Sequence, residues 1–482
     1  MNYKSILMKV KNINSIKYLA IAISFVVFAT GCLGQNEAEK GWKDYDALVK
    51  RIVPPTFANK DFSILDYGAK EGGTSDCLPA IKLAIDACSK AGGGRVMIPA
   101  GTYFVKGPIH LLSNVNLHLD DSAIVKFSTD DNDFLPVVYT RYEGVEFMNY
   151  SPLIYAYGQT NIAVTGKGIL DGQADNDHWW NWTGSKRFGW KEGMPSQNDP
   201  ENKPRLMEMG ANGVPVKDRV FGKGHYMRPT MIEFYNCKNI LIQGVTLINA
   251  PFWLIHPTLS QNITVDGVAT NSLGPNNDGC DPESCSDVII KNCSFTDGDD
   301  CIAIKSGRDE DGRRVNVPSK NIIVENCDMK DGHGGVVIGS ETSGGVENVY
   351  AQNCTMNSPH LERAIRIKSN ACRGGTMKNF YFRNIKVGEV REAVVKINMF
   401  YEKEKAAKCN FPPSLQGVFV NKVTSQKSEY GVYIEGLETK PVKDIHITHC
   451  NFENVEKEYF VKNTKDLHVD NTTVNGKKVA IK

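Results

Sequence analysis

The C-terminal half of the chain repeats one short phrase, and this repeat limits the folds open to it. Each copy has an Asn or Asp, a short β-branched strand, a two-residue polar corner and a second short strand, as in CKNILIQGVTLIN, SQNITVDGVATNS and SKNIIVENCDMKD. Successive copies start 23 to 34 residues apart, at Asn239, Asn262, Asp287, Asn321, Asn348 and Asn379. Short strands at such a period, with no helical pattern between them, predict a coiled solenoid of parallel strands.

Several cysteines occupy one fixed slot of the phrase, where other copies carry Val245, Val268 or Ile385. Because they replace aliphatic residues, we expect them to be stacked thiols of the core. They are Cys293, Cys327, Cys354 and Cys450. Disulfides elsewhere, between Cys77 and Cys88 or between Cys280 and Cys285, are open alternatives.

Upstream of the repeats, the sequence predicts one helix followed by more strands of the same kind. Apolar residues recur at helical spacing from Pro79 to about Lys90, and glycines then end the helix. Such a helix would cap the open end of the solenoid. We therefore predict one all-β domain over residues 51–482, a parallel β-helix with an aromatic-rich insertion near residues 173–228. A split into two domains is the alternative, although no linker is evident.

The first 50 residues predict export. Lysines precede an apolar run, YLAIAISFVVFA, that is too short to span a bilayer comfortably. Thr30-Gly31-Cys32 then resembles a bacterial lipobox. We expect residues 1–31 to be a lipoprotein-type signal peptide, residues 32–50 a polar tether, and a lipid on Cys32 the sole membrane attachment, at the outer membrane on its periplasmic or cell-surface side. A plain signal peptide or a retained anchor is the alternative.

The charge balance excludes some classes of partner. The chain has 56 basic and 55 acidic side chains, a net charge of +1, and no polybasic block. We therefore expect no nucleic-acid partner, and an acidic substrate must be held by locally placed cations. A capped solenoid needs no second copy, so we expect a monomer.

Acidic residues crowd the stretch GPNNDGCDPESCSDVIIKNCSFTDGDDCIAIK. Residues one turn apart in a parallel solenoid lie about 4.8 Å from each other. Asp278 precedes Asp299 and Asp300 by about one turn, so we expect the three carboxylates to converge. A turn-capping ladder of Asp residues is the alternative explanation of this spacing.

The next two turns add a histidine and two cations. His333 lies in DGHGG, and alternation places Arg366 and Lys368 of RAIRIK on one side of their strand. Three close carboxylates cannot all remain ionised, so the pKa of at least one should rise. This provides the acid and the base that glycoside hydrolysis needs, and the cations favour a substrate with its own carboxylate.

Four motifs in this order resemble glycoside hydrolase family 28, the polygalacturonases and related pectin hydrolases. The resemblance covers about residues 60–450 and is carried by Asn276-Asn277-Asp278, Gly298-Asp299-Asp300, Gly332-His333-Gly334 and Arg366-Ile367-Lys368. It implies a right-handed parallel β-helix that hydrolyses α-1,4-linked galacturonic acid in pectin with inversion, without a metal or other cofactor.

The resemblance also implies a role for each matching residue. Asp299 would be the general acid, Asp278 and Asp300 would hold and activate the attacking water, and His333 would tune the acid. Arg366 and Lys368 would bind the galacturonate beside the cleaved bond, and Asn276 would help to shape the site. Asn277 stands where the family commonly has Thr, a change that we expect to affect packing more than chemistry.

The stretch SGRDEDGRRVNVPSKN is similar to bacterial members that act from chain ends. Its Arg308, Arg313 and Arg314 would extend the cationic site or form a solvated turn. The insertion tryptophans would wall the groove, stack on sugar or pack on the solenoid flank; they are Trp179, Trp180, Trp182 and Trp190. His256 and Trp253, on a strand before the site, would contact substrate or pack in the core.

Other functions remain alternatives at this point. A rhamnogalacturonan or xylogalacturonan hydrolase of the same family would use the same site. A calcium-dependent pectate lyase would use Asp278, Asp281, Asp299 and Asp300 as oxygen ligands. A non-catalytic, polysaccharide-binding β-helix would bind the polymer and release no sugar.

Overall fold

A computed structural model describes residues 41–402 and 409–479, in which short parallel strands stack into a three-faced solenoid. The chain divides into the units Met1–Ala47 and Leu48–Lys482, and the strands of the described residues all belong to the second. Residues 41–51 are helical. The predicted signal peptide and Cys32 lie outside the described residues. Among the helices of the described ranges, none combines the length and the apolar character that a membrane span requires.

The three faces are called sheets A, B and C. Sheet A has 13 strands: β1 (Asp61–Ser63), β2 (Gly94–Ile98), β5 (Val115–Leu119), β10 (Thr160–Gly166), β13 (Lys238–Gln243), β15 (Gln261–Asp266), β17 (Ser286–Lys291), β20 (Ser319–Glu325), β23 (Val346–Gln352), β26 (Thr376–Arg383), β29 (Ser414–Asn421), β32 (Val442–Thr448) and β35 (Thr464–Asp470). Sheet B also has 13: β3 (Gly101–Val105), β6 (Ala123–Phe127), β11 (Ile169–Asp171), β14 (Thr246–Ile248), β16 (Ala269–Asn271), β18 (Ser294–Thr296), β21 (Asp328–Asp331), β24 (Thr355–Met356), β27 (Lys386–Val387), β30 (Thr424–Ser425), β33 (Asn451–Phe452), β36 (Thr473–Val474) and β37 (Lys477–Lys478).

Sheet C is the third face and carries the cleft described below. It begins with β4 (Ile109–His110), β9 (Ile154–Tyr157) and β12 (Ile232–Tyr235) and continues with β19 (Asp300–Ile304), β22 (Gly334–Ile338), β25 (Arg363–Lys368), β28 (Ala393–Asn398), β31 (Ser428–Glu435) and β34 (Val455–Lys462). Single bridges at Ile255 and Cys280 connect the two parts. A hairpin of β7 (Val138–Tyr142) and β8 (Val145–Asn149) stands apart. Three parallel faces in one coil are the predicted right-handed β-helix.

The repeated phrase corresponds to one strand of sheet A, a corner and one strand of sheet B. Its first residue is left-handed in turn after turn, with φ of 56° at Asn239 and 59° at Asn321, a conformation that Asn tolerates better than most residues. The amide of Asn348 donates to the side-chain oxygen of Asn321 at 3.1 Å, and Asn379 donates to Asn348 at 3.0 Å. We call this stack the asparagine ladder; it comprises Asn161, Asn239, Asn262, Asp287, Asn321, Asn348 and Asn379.

The predicted cysteine slot does face the core. Cys293, Cys327, Cys354 and Cys450 are buried, as are the aliphatic residues that replace them in other turns. The two disulfide alternatives are wrong, because all four of those cysteines are buried free thiols, and the Cys285 thiol donates to the Pro257 carbonyl instead. In the described part of the chain, the disulfide joins Cys372 to Cys409.

The N-terminal cap is confirmed. Helix α1 (Leu78–Lys90) buries the face that carries Ile81, Ile85 and Cys88 in the core at the first turn. It starts one residue before the predicted position, with Pro79 in its first turn, where proline suits a helix. At the other end of sheet B, β37 turns back antiparallel to β36.

The insertion lies beside sheet C and contains helix α2 (Lys203–Ala211). This helix packs against the hairpin strand β8 and against the short helix α3 (Asp309–Val315). Of the insertion tryptophans, Trp179 is buried and packs edge-on against Phe134, Tyr150 and Trp182. These contacts favour the packing alternative for the aromatic residues.

Candidate active site

Three aspartates converge at a cleft of about 240 Å³ on sheet C. Asp278 comes from the loop one turn before β19, while Asp299 and Asp300 lie at the start of that strand. One carboxylate oxygen of each lies within 4.8 Å of the others. A backbone hydrogen bond from Gly279 to the Asp300 carbonyl, at 3.0 Å, fixes the two turns next to each other. The predicted convergence is therefore present in the fold.

Asp300 is the carboxylate held by the two predicted cations. Its side chain is fully buried, and it accepts hydrogen bonds from Lys368 Nζ at 2.6 Å and Arg366 Nη1 at 3.2 Å. Burial raises the pKa of Asp300, but Lys368 and Arg366 outweigh burial and hold it well below the usual value. Gly334 is on β22, between Asp300 on β19 and the two cations on β25, and a Cβ atom at Gly334 would stand 3.0 Å from an Asp300 oxygen. The missing side chain lets the cations reach across one turn.

Asp299 is paired with His333. His333 Nδ1 lies 2.9 Å from Asp299 Oδ1, and the His333 amide donates to the Asp299 carbonyl at 3.0 Å. The hydrogen bond to Asp299 raises the pKa of His333 against the effect of burial. Burial raises the pKa of Asp299, but the bond from His333 gives a net lowering. Between the lowered pKa of Asp299 and the raised pKa of His333, the pair therefore holds one proton, which rests on His333.

The third carboxylate, Asp278, carries the raised pKa that crowding predicts. Burial raises the pKa of Asp278 most, and the charges of Asp281 and Asp299 raise it further. Exposure also distinguishes the three side chains, at 17% for Asp299, 3% for Asp278 and 0% for Asp300. Asp299 is thus the carboxylate that a ligand in the cleft reaches most readily.

A buried lysine that we did not predict neutralises the rest of this cluster. Lys305 Nζ lies 3.4 Å from Asp278, 4.0 Å from Asp281 and 3.5 Å from Glu341, and it stands 4.5 Å from the centre of the Trp253 ring. Burial alone would lower the pKa of Lys305, but the carboxylates raise it well above the usual value. The sequence signal was a lysine at the end of the otherwise apolar strand CIAIK.

The two predicted asparagines have different positions. Asn276 lines the cleft and accepts a hydrogen bond from Arg228 Nη2 at 2.8 Å. Asn277 is fully buried, and its amide donates to the carbonyls of Ala250 and Phe252, both at 3.1 Å. Asn277 therefore packs the loop that presents Asp278, as the departure from the family motif suggested.

The neighbouring aromatic strand contributes one residue to the cleft. Trp253 lines it, whereas His256 is fully buried between two carboxylates, 2.8 Å from Glu283 and 3.4 Å from Glu233. The core alternative is therefore correct for His256.

The cleft lining includes a chain of ion pairs, here called the charged arc: Lys203, Glu143, Arg308 and Glu402. The links are Lys203–Glu143 at 2.6 Å, Glu143–Arg308 at 2.9 Å and Arg308–Glu402 at 3.0 Å. Only Arg308 of this arc carried a prediction. Neither the loops that carry Glu143 and Glu402 nor the start of helix α2, which carries Lys203, gave a sequence signal.

Other residues with sequence predictions point away from the cleft. Arg313 donates to the carbonyl of Arg373 at 3.2 Å, and Arg314 donates to Asp311 at 3.0 Å. Among the described residues, the cleft lining includes none of the four insertion tryptophans.

Comparison with known proteins gives a family. Residues 217–475 match Glycosyl hydrolases family 28, and residues 62–130 match the family Rhamnogalacturonase A/epimerase, pectate lyase-like. A probable polygalacturonase of Vitis vinifera is 28% identical over 82% of this chain and 74% of its own length. An exo-poly-alpha-D-galacturonosidase of Dickeya chrysanthemi is 27% identical over 72% of this chain and 58% of its own length.

A solved structure gives a closer match. The exopolygalacturonase of Thermotoga maritima superposes with a TM-score of 0.87 at 44% identity, over 92% of this chain and 97% of that one. With the family match covering more than half of the sequence, the chain belongs to the glycosyl hydrolases of family 28.

Proposed function

We propose that this protein is an exo-acting polygalacturonase that hydrolyses α-1,4-linked galacturonic acid at the chain ends of pectin. The observation that carries the proposal is the position of an acid, a base and two carboxylate-binding cations in one small cleft. The choice of chain-end action rests on the names of the Dickeya and Thermotoga relatives, an exo-poly-alpha-D-galacturonosidase and an exopolygalacturonase.

The acid in this proposal is Asp299, acting with His333. Asp299 and His333 together hold one proton, and of these two residues Asp299 is the one beside Asp278 and Asp300. The proton rests on His333, passes along their hydrogen bond to the Asp299 carboxylate, and is given to the glycosidic oxygen as the bond from the anomeric carbon to that oxygen breaks. His333, hydrogen-bonded at 2.9 Å, keeps the proton available because its own pKa is raised.

The base is Asp300, and Asp278 orients the water. Asp300 is held ionised by Lys368 and Arg366, so it is able to accept a proton from water. The raised pKa of Asp278 lets its carboxyl donate a hydrogen bond to the same water. The water oxygen then attacks the anomeric carbon and its proton goes to Asp300, which completes the hydrolysis.

We expect inversion at the anomeric carbon. The aspartate oxygens lie within 4.8 Å of one another, closer than the 6.5–9.5 Å typical of inverting carboxyl pairs. However, Asp300 is fully buried and tied to two cations, so it is poorly placed to attack the sugar itself. Water is the nucleophile consistent with that burial. Proton NMR of the first product anomer tests this expectation.

Arg366 and Lys368 would bind the carboxylate of the galacturonate unit beside the cleaved bond. Both line the cleft, and both lie below the ring of Tyr401, at 5.7 Å and 5.2 Å from its centre. Asn276, fixed by Arg228, would shape the adjoining wall.

The experiment uses the purified protein with chelator present, on polygalacturonic acid and separately on rhamnogalacturonan. Early products are resolved by size for the wild type and for Asp299→Asn. Monomer or dimer alone from polygalacturonic acid, lost in the variant, is the expected result. Release only from rhamnogalacturonan would reassign the substrate, an unsaturated product blocked by chelator would indicate a lyase, and binding without release would leave a non-catalytic solenoid.

The proposal includes location and organisation. Pectin lies outside the cell, which fits the predicted signal peptide, a lipid on Cys32 and attachment to the outer membrane. We propose that residues 51–482 form a single catalytic domain that works as a monomer. A Cys32→Ser variant should move from the membrane fraction to the soluble fraction, and size-exclusion chromatography should give one chain.

A further inference from the structure

We propose that Lys396 binds the carboxylate of a further galacturonate unit, one strand beyond Arg366, so that the sugar chain leaves the cleft across the later strands of sheet C. The inference rests on the proposed function, because it concerns how that same site holds its polymer. It adds a substrate-binding residue that lies outside the four sequence motifs.

The hairpin of β7 and β8 covers the strands of sheet C that precede the cleft. Thr140 donates a hydrogen bond to the Glu233 carboxylate at 2.7 Å, and Arg141 pairs with Glu283 at 3.1 Å. Glu233 and Glu283 face outward from sheet C, yet both are fully buried. A sugar chain therefore has no access to this part of the sheet while the hairpin is in place.

Beyond the cleft, the same face of sheet C reaches solvent. The strand register places Lys396 beside Arg366, Tyr433 beside Lys396 and Phe460 beside Tyr433. Exposure along this row is 11% for the Arg366 side chain, 14% for that of Lys396 and 36% for Phe460. Neighbouring strands are about 4.8 Å apart, so the row extends roughly 14 Å from Arg366. The accessible continuation of the cleft thus runs toward Phe460.

The first part of this row carries more positive than negative charge. Among the described residues, the ion pairs of five cations here involve three carboxylates, so the cations outnumber their partners by two. The pairs are Arg366 and Lys368 with Asp300, Arg363 and Lys396 with Glu392, and Arg363 and Arg391 with Glu362. Although each cation has a partner, the shared carboxylates leave the group able to attract a further anion.

Aromatic rings position the Lys396 side chain. Its Nζ lies 4.9 Å from the centre of the Tyr433 ring, and the rings of Tyr433 and Phe460 stack at 4.7 Å. The Tyr433 hydroxyl donates to Glu435 at 3.0 Å, which fixes that ring. An ammonium held against a ring keeps donors for a second carboxylate, because the ring face takes none of its lone-pair partners.

The spacing of the cations matches an anionic polymer. Polygalacturonate carries one carboxylate on every sugar. When one galacturonate beside the cleaved bond lies on Arg366 and Lys368, the next sugar along the row brings its carboxylate to the following strand, where Lys396 stands. Complementary charge at successive positions fixes the register of the bound chain.

The first measurement is kcat/KM for the hydrolysis of digalacturonate and trigalacturonate, with chelator present. A dimer must span the cleaved bond to react, so only the trimer places a sugar at Lys396. Lys396→Met removes the charge and Lys396→Arg keeps it. Lys378→Met is the matched control, because it removes the same charge from sheet A, where Lys378 pairs with Glu347 at 2.9 Å.

Lys396→Met should lower kcat/KM for trigalacturonate about tenfold, chiefly through a higher KM, as expected for loss of one hydrogen bond between charged groups. Its kcat/KM for digalacturonate should not change, and Lys396→Arg and Lys378→Met should match the wild type on both substrates. An equal loss on the two substrates would show that Lys396 is structural, and no loss on the trimer would show that it does not bind the sugar. Either result overturns the inference.

The second measurement needs neither activity nor a variant at Lys396. In the Asp299→Asn protein, trigalacturonate should protect Lys396 from chemical acetylation, read by mass spectrometry, while Lys378 reacts at an unchanged rate. Absence of protection would overturn the inference, even if Lys396→Met fails to fold. An inactive wild type in which trigalacturonate still protects Lys396 would contradict the proposed hydrolysis and leave this inference intact.

Discussion

Two columns of polar side chains follow the solenoid from turn to turn, and they differ in how neighbouring side chains interact. In the asparagine ladder, asparagine recurs with a single aspartate, Asp287, and the asparagine amides donate to the side-chain oxygen of a neighbour on the adjacent turn. In the cleft column, successive turns contribute Asp278, Asp300 and Gly334, and Arg366 reaches Asp300 from the next strand; these residues are unlike. A repeated amide is self-complementary and carries no charge. Ionisable groups of different kinds carry charges that are neutralised only by the cluster as a whole, and the pKa values of these groups shift as a result.

The strongest test of this contrast is Asp299→Asn. The variant keeps the shape of the side chain but replaces the carboxyl that transfers the proton with an amide. Activity on polygalacturonic acid should therefore fall by roughly 10²–10⁴-fold, the range for loss of a general acid. Melting temperature, measured by calorimetry, should stay close to that of the wild type. A variant with a large residual rate would move the acid role to another residue of the cluster.

The second test is Lys305→Met, which removes the buried lysine that three carboxylates beside the cleft share. The change leaves Asp278, Asp281 and Glu341 buried without their ammonium partner, and breaking a buried pair in this way costs about 3–5 kcal/mol. Urea denaturation at neutral pH measures the loss.

The control for this variant is Lys330→Met, which removes an exposed pair with Asp328 at 3.3 Å. Its cost should be at most about 1 kcal/mol. Equal losses in the two variants would mean that Lys305 is no more than a surface cation.

The third test addresses the ladder through Asn321→Ala. The variant loses hydrogen bonds to Asp287 and Asn348 and places alanine at a φ of 59°. Each bond contributes about 1 kcal/mol and the left-handed backbone costs a further ~1–2 kcal/mol, so stability should fall by about 2–4 kcal/mol. The rate per folded molecule should not change. Asn321→Gly should recover the backbone part, and a changed rate in either variant would link the ladder to the cleft.

The smallest effect concerns pH and the His333–Asp299 pair. The pKa of His333 is raised from 6.5, so its contribution to stability is complete below pH 6.5 and is lost as the pH rises through the folded value. The pKa of Asp299 is lowered from 3.8, so its contribution is complete above pH 3.8 and is lost as the pH falls through the folded value.

The stability difference between the wild type and His333→Gln should therefore be largest between these limits. It should stay below about 1 kcal/mol, because the pair is partly exposed. Urea denaturation at a series of pH values measures it. A difference that does not vary with pH would show that His333 acts through packing.

The sequence predicted those parts of the molecule in which each turn repeats the last. The phrase beginning at Asn239 and Asn321 and the cysteine slot follow from the repeat, because stacked turns place like residues together. Helix α1 follows from the helical spacing of its own apolar residues. Asp278, Asp300 and Arg366 were predictable for the same reason, since their spacing matches the turns.

The charged arc and Lys305 follow no period. Glu143 and Glu402 come from loops and Lys203 from the start of helix α2, and the positions of all three depend on tertiary contacts. The pairing of Cys372 with Cys409 likewise depends on the folded chain. Lys305 lies on a regular strand, but its role depends on Glu341, which reaches it from a loop of the next turn. Spacing indicates which residues share a column; it does not indicate which loops meet across a cleft.

The asparagine ladder divides the solenoid into layers of equal height, which can be added or removed one at a time. Every rung begins a layer of the same height, whatever the length of its loops, so duplication of one layer beyond Lys368 would extend the molecule without moving the aspartates. Insertion of a layer between Asp300 and Lys368 would separate the base from its cations and abolish the site. Evolution is thus free to lengthen or shorten the two ends of this protein, while the few layers in the middle must be inherited as a block.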